Sequence, residues 1–303
     1  MTIVVAGGSG FIGTEFINQV SASHKIILLT RKPESVRLLS DRSVRVVQWD
    51  GLSLGPWTEH VDGADAVVNL AGVPIAGKRW TKAQKERIVE SRTYATRAVV
   101  EAIAKARKKP PVLVNISGVG YYGNVDSGDV TESHPNGNDF LASVCRRWEQ
   151  EASAGRKFGA RVVIPRLGVV LGKGGGALQK MITPFKLYAG GPLGSGKQWF
   201  PWIHIDDVVG IIMFAIERQS LRGPVNAAAP QVVTMKEFCS TLGNVMQRPS
   251  WAPVPSLILK VAFGEMADML LTGQRVIPKK LQDEGYKFQY PALEDALQAI
   301  LQK

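Results

Sequence analysis

Thiols and imidazoles are scarce in this chain of 303 residues, which carries two cysteines and four histidines. Cys145 and Cys239 stand far apart, outside any C-x-x-C spacing, and the histidines have no metal-ligand spacing. A disulfide framework and a zinc site are therefore not expected, and neither is any other metal centre. A reducing, cytoplasmic setting fits that usage. Long apolar runs are also missing. Val208–Ile216 falls well short of the roughly 20 residues that span a bilayer and reads as a core helix. The first strand begins at residue 2, so no signal or transit segment is expected ahead of it. No internal repeat and no low-complexity tail is visible. Acidic residues are outnumbered, 26 to 37, for a formal charge of +11. Such an excess can serve nucleic acid or an anionic membrane surface. Here the basic residues are scattered. The densest group, Lys105-Ala106-Arg107-Lys108-Lys109, ends a predicted helix, where cations complement the dipole. No aromatic platform interleaves with it, so neither nucleic acid nor membrane is an expected partner, and a small anionic ligand accounts better for the charge.

Glycine, by contrast, is plentiful, and its densest early cluster organises the chain. Ile3–Ala6 reads as a buried parallel strand, Gly7-Gly8-Ser9-Gly10-Phe11-Ile12-Gly13 as a tight turn, and Thr14–Ala22 as a helix. Gly8, Gly10 and Gly13 fit G-x-G-x-x-G; Gly7, Gly10 and Gly13 fit the looser G-x-x-G-x-x-G. Glycine permits the turn, lets backbone approach a pyrophosphate, and lets helix and strand pack closely. The helix start then offers free N–H groups and partial positive charge to phosphates. The whole stretch Gly7–Gly13 is thus a dinucleotide cradle. Strand two, Lys25–Leu29, ends at Thr30-Arg31-Lys32. An acidic side chain at this tip would suit the ribose 2′-hydroxyl of NAD, whereas Arg31 and Lys32 suit a 2′-phosphate. The expected cofactor is NADP(H).

Further along, Val44–Trp49 reads as strand three, closed by Asp50-Gly51; Asp50 is either an adenine acceptor or a turn former. Asp65–Leu70 is strand four, and Leu70, Ala71 and Gly72 offer small groups beside the dinucleotide. Thr81 opens a helix to about Lys108, and Thr81–Gln84 has capping-box form. Ser91 lies on its buried stripe, and Arg92 borders the stripe, free to snorkel outward or to reach a cofactor cleft. Strand five, Val112–Ile116, ends in Ser117-Gly118-Val119-Gly120-Tyr121-Tyr122-Gly123, where chemistry is expected in an open parallel sheet. A helix from Phe140 to about Lys157 and strand six, Arg161–Pro165, follow. The alternation predicts an α/β fold: a doubly wound parallel Rossmann sheet with a smaller, mostly helical C-terminal substrate lobe. Residues 1–170 form the NADP-binding domain, with 200–230 returning to it; 171–199 and 231–303 form the substrate-side lobe. His204, Asp206 and Asp207 read as structural, with Asp206 the N-cap of the following helix.

These residues resemble the extended short-chain dehydrogenases/reductases, through Gly7–Gly13, Asn69–Gly72, Ser117…Tyr122-Gly123 and Trp202–Asp207. Over nearly the whole chain they resemble an atypical, epimerase-like subgroup. Its marks are Ser117–Gly123, Pro165–Gly172, Gly191–Gly196 and Gly264–Pro278. The wider resemblance implies a Ser with Tyr-x-x-x-Lys, the Tyr acting as acid or base and the Lys depressing its pKa. Ser117 stands in the Ser position, but Leu141 stands for the Tyr, Cys145 for the Lys, and Arg92 for an assisting Asn. The subgroup shares this departure. It also implies that Ser117, Gly118, Cys145, Arg166, Leu167 and Gly168 lie toward the nicotinamide, and that Lys197, Gln198 and Trp199 lie over the substrate.

Leucine transfers no proton, and a neutral thiol does not depress a phenol's pKa. The expected catalytic set is therefore Ser117 with Tyr122 as replacement acid, Arg92 as anion stabiliser or ribose anchor, and Cys145 as a redox thiol or, more simply, a packing residue. The expected function is an NADP(H)-dependent, epimerase-like oxidoreductase of an unidentified small substrate, with a homodimer compatible with it. The alternative is a non-catalytic NADP(H)-sensing protein, since some members of the subgroup are called cell-division factors. Arg31→Asp is expected to weaken NADPH binding far more than NADH binding in a fluorescence titration; equal loss of both removes Arg31 from the 2′-phosphate.

Overall fold

The structure is a computed structural model that describes residues 1–36 and 43–302. Strands β1 (Thr2–Ala6), β2 (Lys25–Thr30), β3 (Val44–Gln48), β4 (Ala66–Asn69) and β5 (Val112–Asn115) alternate with helices α1 (Phe11–Val20) and α2 (Lys82–Lys105). Next come the two-residue strands β6 (Ser117–Gly118) and β7 (Asp129–Val130), helix α3 (Phe140–Ser153), and strands β8 (Arg161–Leu167) and β9 (Val169–Leu171). Helix α4 (Gly176–Lys186), β10 (Trp202–His204), α5 (Ile205–Glu217) and β11 (Gly223–Ala227) complete the sheet region. Beyond it lie α6 (Met235–Met246), α7 (Ser256–Phe263), α8 (Asp268–Leu271), β12 (Arg275–Val276), α9 (Lys279–Asp283) and α10 (Leu293–Leu301).

The central sheet runs β11-β8-β5-β4-β1-β2-β3, with β6 extending β5 along β8, and every pairing in it is parallel. From β1 the chain first builds toward β3, then crosses to β4 and builds the other way. The reversal opens a crevice at the carboxyl ends of β1 and β4, where ligands bind in sheets of this kind. Alternation along the strands explains the two covered faces. Ile3, Val5, Ile26 and Leu28 pack with α1 and α5 through Phe16, Ile17, Ile211 and Ile212. Val4, Ala6, Ile27 and Leu29 pack with α2 and Trp57 through Ala95, Val99 and Ile103. A third core forms around α4, β9, β10, α6 and α10, with Phe185, Trp202, Phe238, Leu242 and Leu297 fully enclosed. The C-terminal segment also returns to the sheet. Leu281 joins the first core, and buried Asp207 accepts from Gln289 N (2.7 Å) and Tyr290 N (2.9 Å).

Element boundaries depart from expectation where capping decides them. Helix α1 starts at Phe11, not Thr14, because Gly10 takes the extended N-cap conformation. Helix α2 stops at Lys105, and Ala106 turns extended. Thr81 caps it by accepting Gln84 N–H, while a complete reciprocal capping box occurs at α6, between Thr234 and Glu237. The Phe140 helix tightens into a 3₁₀ turn at Ala154–Phe158 and ends at left-handed Gly159. Asp206 is not the N-cap of α5. His204 is, its Nδ1 accepting from Asp206 N at 3.1 Å, with Asp206 and Asp207 complementing the dipole from the first turn.

Gly13 is the tightest point between the first helix and the turn before it: a Cβ there would lie 2.4 Å from Gly8 Cα. Alanine raises helix propensity by about 1 kcal/mol, but it must push backbone apart. Gly13→Ala is expected to lower the unfolding free energy by about 1–3 kcal/mol in urea denaturation; a stabilised variant would show that the turn gives way freely.

Candidate cofactor-binding and active site

The cradle forms as its glycines require. Gly7 adopts φ +76°, and a Cβ on it would strike the backbone of Leu70 and Ala71 at 2.8 Å, so the turn rests directly on the end of β4. Gly10 N–H donates to Gly7 O (3.2 Å) and closes the loop. Outward, Ser9 and Gly10 are exposed, and a Cβ on Gly10 would meet nothing nearer than Gly7 O at 3.4 Å. Helix α1 then begins with no side-chain cap and no acidic residue in its first turn. Its leading N–H groups and dipole therefore face outward uncompensated, which is the donor set a pyrophosphate needs. The residues present fit a dinucleotide. Phe11 beds its ring against Gly172, Gly175 and Gly176; a Cβ on Gly175 would lie 2.4 Å from Phe11 Cδ2.

At the tip of β2, Arg31 and Lys32 are exposed. Thr30 Oγ1 accepts from Lys32 N (3.3 Å) and lies 3.4 Å from Ser9 Oγ, which ties the tip to the cradle. The Arg31 stem passes 3.7 Å from a Cβ position on Gly51, whose φ is +79°. Asp50 closes its own turn: Oδ1 accepts from Leu52 N (2.8 Å) and Ser53 N (2.9 Å), and Oδ2 from the Ser53 hydroxyl. Slight desolvation would raise this carboxyl, but the hydrogen bonds from Ser53 and Leu52 hold it below its ordinary range. Any adenine amino group competes with three local donors there.

The ends of β4 and β5 are fixed by buried amides. Asn69 Nδ2 donates to Thr96 Oγ1 (2.9 Å) and Asn115 Oδ1 (2.6 Å), while its Oδ1 accepts from Ala71 N (3.2 Å). Trp148 Nε1 donates to the same Thr96 hydroxyl (2.9 Å). Leu70, Ala71 and Gly72 leave this network half-buried or exposed. Half-buried Arg92 lies against Gly72, where a Cβ would come within 3.1 Å of its Cζ. Its Nη1 donates to Val73 O (3.1 Å) and Ile88 O (3.0 Å), and Cζ stands 5.0 Å from the Trp148 ring. Desolvation lowers the guanidinium to about 10, with the nearby Cys145 pulling the other way. It stays cationic at neutral pH.

Past β5 lies a hub that the sequence did not disclose. Arg166, 2 % exposed, makes a two-point ion pair with buried Glu149: Nε to Oε1 (2.9 Å) and Nη2 to Oε2 (2.8 Å). Ser117 Oγ donates to Glu149 Oε1 (2.8 Å). Arg166 Nη1 donates to Tyr122 Oη (2.8 Å), whose own proton goes to Asn226 Oδ1 (2.6 Å). Asn226 passes the chain onward, donating to Val130 O (3.1 Å) and Ile277 O (2.9 Å). Tyr121 is half-buried, its ring centroid 3.4 Å from Arg166 Cζ, and no bond to its hydroxyl occurs among the described residues. Burial would lower the Arg166 guanidinium, but Glu149 and Tyr122 raise it.

The geometry goes against the role expected of Tyr122 and favours the simpler of the two offered for Cys145. Tyr122 is 2 % exposed, and burial pushes its phenol up to about 12 against the pull of Arg166. A hydroxyl that is both donor and acceptor inside the core is a strut, not an accessible acid. Cys145 is buried, bonds Gly118 O at 3.6 Å, and is raised to about 11 by desolvation, with Glu149 adding to the rise. It remains a thiol and packs, as inert buried cysteines do. Leu141 faces Gly120, 3.3 Å from a Cβ position there.

Elsewhere, Leu167 ends β8 in the first core, and Gly168 N donates to Ala227 O (2.9 Å). Gln198 Nε2 knits the glycine-rich loop to α8 through Leu193 O and Leu270 O (both 2.9 Å). Trp199 lies beneath Arg275 (5.6 Å) and against Gly273, while Lys197 is exposed. Among the described residues, no group of three or more His, Cys, Asp or Glu side chains is placed to hold a metal, and no helix is long and apolar enough to cross a membrane. The signal that would have found Glu149 is its spacing: it sits four residues after Cys145, one turn along the same helix face.

Glu149→Gln is expected to strand the Arg166 charge and to cost about 3 kcal/mol of stability. Glu149→Gln with Arg166→Met should be more stable than Glu149→Gln alone in the same denaturation measurement; equal losses would mean the pair is not what holds the hub.

The model of the NAD dependent epimerase/dehydratase family matches residues 3–228, and a domain of unknown function, DUF1731, matches residues 254–300. The chain is 44% identical over 308 residues to the chloroplastic epimerase family protein SDR39U1 homolog of Arabidopsis thaliana, covering 100% of this chain and 87% of that one. It is 39% identical to the epimerase family protein YfhF of Bacillus subtilis over 303 residues, covering 99% and 98%. A crystal structure of human epimerase family protein SDR39U1 (isoform 2) with NADPH superposes with a TM-score of 0.89 at 37% identity, each chain fully covered. UDP-glucuronic acid 4-epimerase from Bacillus cereus, at 19% identity and a TM-score of 0.81, shares the fold, with 99% of this chain and 98% of that one covered. Glycine cradle, reversed parallel sheet and helical C-terminal segment thus agree with the sequence comparisons, and the chain belongs to the NAD dependent epimerase/dehydratase family.

Proposed function

We propose that this protein is an NADP(H)-dependent, epimerase-like oxidoreductase of a small-molecule substrate, working in a reducing cytoplasm without nucleic acid. The observation that carries the reading is the outward-facing start of α1 behind Gly10, beside the cationic tip at Arg31 and Lys32. The NADPH in the crystallised human relative supports the same choice. In this reading Gly7–Gly13 hold the pyrophosphate, Arg31 and Lys32 the 2′-phosphate, and Leu70–Gly72 the near side of the dinucleotide. Ser117, Gly118, Leu167 and Gly168 border the reacting end, and residues 171–199 with 231–303 close over the substrate. The bound nicotinamide supplies hydride chemistry; the protein's part is to orient, exclude water and manage a proton. Ser117 and Tyr122 have their protons committed to Glu149 and Asn226. Tyr121 is the phenol left to hand one over. Its ring is stacked on the Arg166 guanidinium, which holds it in place at the strand end.

The sensing alternative draws support from the same locked groups, since a site that moves no proton suits occupancy rather than turnover. A panel of small carbonyl compounds with NADPH separates the two. Loss of the reduced-nicotinamide absorbance with a panel member is expected, lowered about 100-fold in Tyr121→Phe. Tyr122→Phe should lose stability and retain far more of the rate. No oxidation by any member, alongside a protein partner that distinguishes the oxidised from the reduced complex, favours sensing.

A further inference from the structure

Away from the cofactor crevice, the C-terminal lobe holds a set of large apolar side chains out in solvent. Leu187, Tyr188, Trp251, Leu257, Ile258 and Val261 are each more than half exposed, up to 72 % at Leu187 and Leu257. Single exposed apolar residues are ordinary on a surface, whereas a contiguous set marks a binding face. Here the backbone makes them contiguous. Residues 190–194 and 250–254 run side by side, with Ala252 N donating to Gly190 O (3.0 Å) and Val254 N to Pro192 O (2.9 Å). Trp251 Nε1 donates to Tyr188 O (3.0 Å), which ties the two aromatic positions together and satisfies the indole's one polar group. Helix α7 follows directly from this ribbon at Ser256. The spacing of Leu257, Ile258 and Val261 puts them on one face of it, and Leu259, on the opposite face, is the residue it buries.

Charge decides what covers this face. The sequence holds no acidic residue between Glu151 and Asp206, and none between Glu237 and Glu265. Both apolar segments lie inside those two stretches. Cations stand round them instead: Lys186 is exposed in the last turn of α4, Lys260 is exposed beside the apolar face of α7, and Arg248 Cζ lies 4.6 Å from the Tyr188 ring. At the far end of α7, Arg79 Nη2 reaches Val261 O (3.4 Å), and the first acid past the helix, Glu265, is paired with Lys85. A second copy docked here by two-fold symmetry would set these cations against one another. Side chains so exposed have no walls about them, so the occupant has to close round them and answer a positive rim.

We infer that this face docks the protein on an anionic bilayer surface. Leu187, Leu257, Ile258 and Val261 enter the acyl boundary, Tyr188 and Trp251 sit at headgroup level, and the rim of Lys186, Arg248 and Lys260 meets lipid phosphates. The stems of the lysines lie along the apolar surface while their ammonium groups reach the headgroups. Spread along the sequence, these basic residues gave no reason to expect a membrane; folding sets them beside the apolar side chains. The mode is adsorption, since among the described residues no helix is long and apolar enough to cross a membrane. The inference goes beyond the oxidoreductase reading and does not rest on it.

The test is flotation of the whole protein with vesicles of equal parts phosphatidylglycerol and phosphatidylcholine, beside vesicles of phosphatidylcholine alone. Binding to the anionic vesicles is expected to be about ten-fold tighter or more, and to weaken as salt is raised. Leu257→Asp with Val261→Asp should abolish it, and Lys186→Gln with Lys260→Gln should weaken it about ten-fold or more. Both double variants should unfold at the wild-type temperature, because the altered side chains face solvent. A wild type that floats with neither vesicle overturns the inference, and so does equal affinity for the two. Equal flotation of the wild type and the Leu257→Asp, Val261→Asp variant also overturns it, placing the contact elsewhere on the basic surface. A wild type that ignores vesicles but forms a dimer, which the same variant dissociates, gives the face to a second copy instead.

Discussion

A buried ion pair, Glu149 with Arg166, is the constraint on which the carboxyl edge of the sheet depends. Each partner comes from a different layer, Glu149 from a helix and Arg166 from a strand, so the pair pins helix to sheet beside the crevice. Removing either charge leaves the other in a place where water does not reach it. The pair then organises what lies round it: Ser117 is oriented by the carboxylate, Tyr122 by the guanidinium, and Asn226 by Tyr122. Through Asn226 the chain of bonds reaches the short β7 and the backbone at Ile277, so it also sets where the C-terminal segment meets the sheet.

Seen from this pair, the loss of the usual Tyr and Lys on α3 is a redistribution of charge within the same volume. The lysine position is a neutral thiol, the tyrosine position an aliphatic side chain against Gly120. Cationic charge persists nearby, in Arg92 and Arg166, the first bonded to backbone carbonyls and the second paired with Glu149. Desolvation lowers both, with different outcomes. At Arg92 no carboxylate among the described residues offsets it, whereas at Arg166 it is overridden by Glu149.

The sheet and its cradle were legible because strands buried on both faces read as apolar runs and because glycine has few reasons to cluster. Gly7, Gly8 and Gly13 each touch something that a side chain would displace. Helix ends were less legible: the shift of α1 to Phe11 and the capping of α5 by His204 depend on backbone conformation at a single residue. The hub was the least legible. Glu149 looks like any surface acid on an amphipathic helix, and Asn226 like any polar residue at a strand end. Only the convergence of three distant segments turns them inward. Tyr122 looked like the available phenol because of its place in the chain, yet among the described residues it is the hydroxyl of its neighbour Tyr121 that has no hydrogen bond.

The seating of Phe11 has a steric consequence. Its ring occupies a bowl made by Gly172, Gly175 and Gly176, on the segment that leaves the sheet for α4. With no side chains in the bowl, the ring packs straight onto backbone, so any side chain larger than hydrogen at these three positions would have to displace the phenyl group. The glycines of the segment entering α4 are thereby accounted for by the aromatic residue that opens α1, and the two stretches are matched in shape.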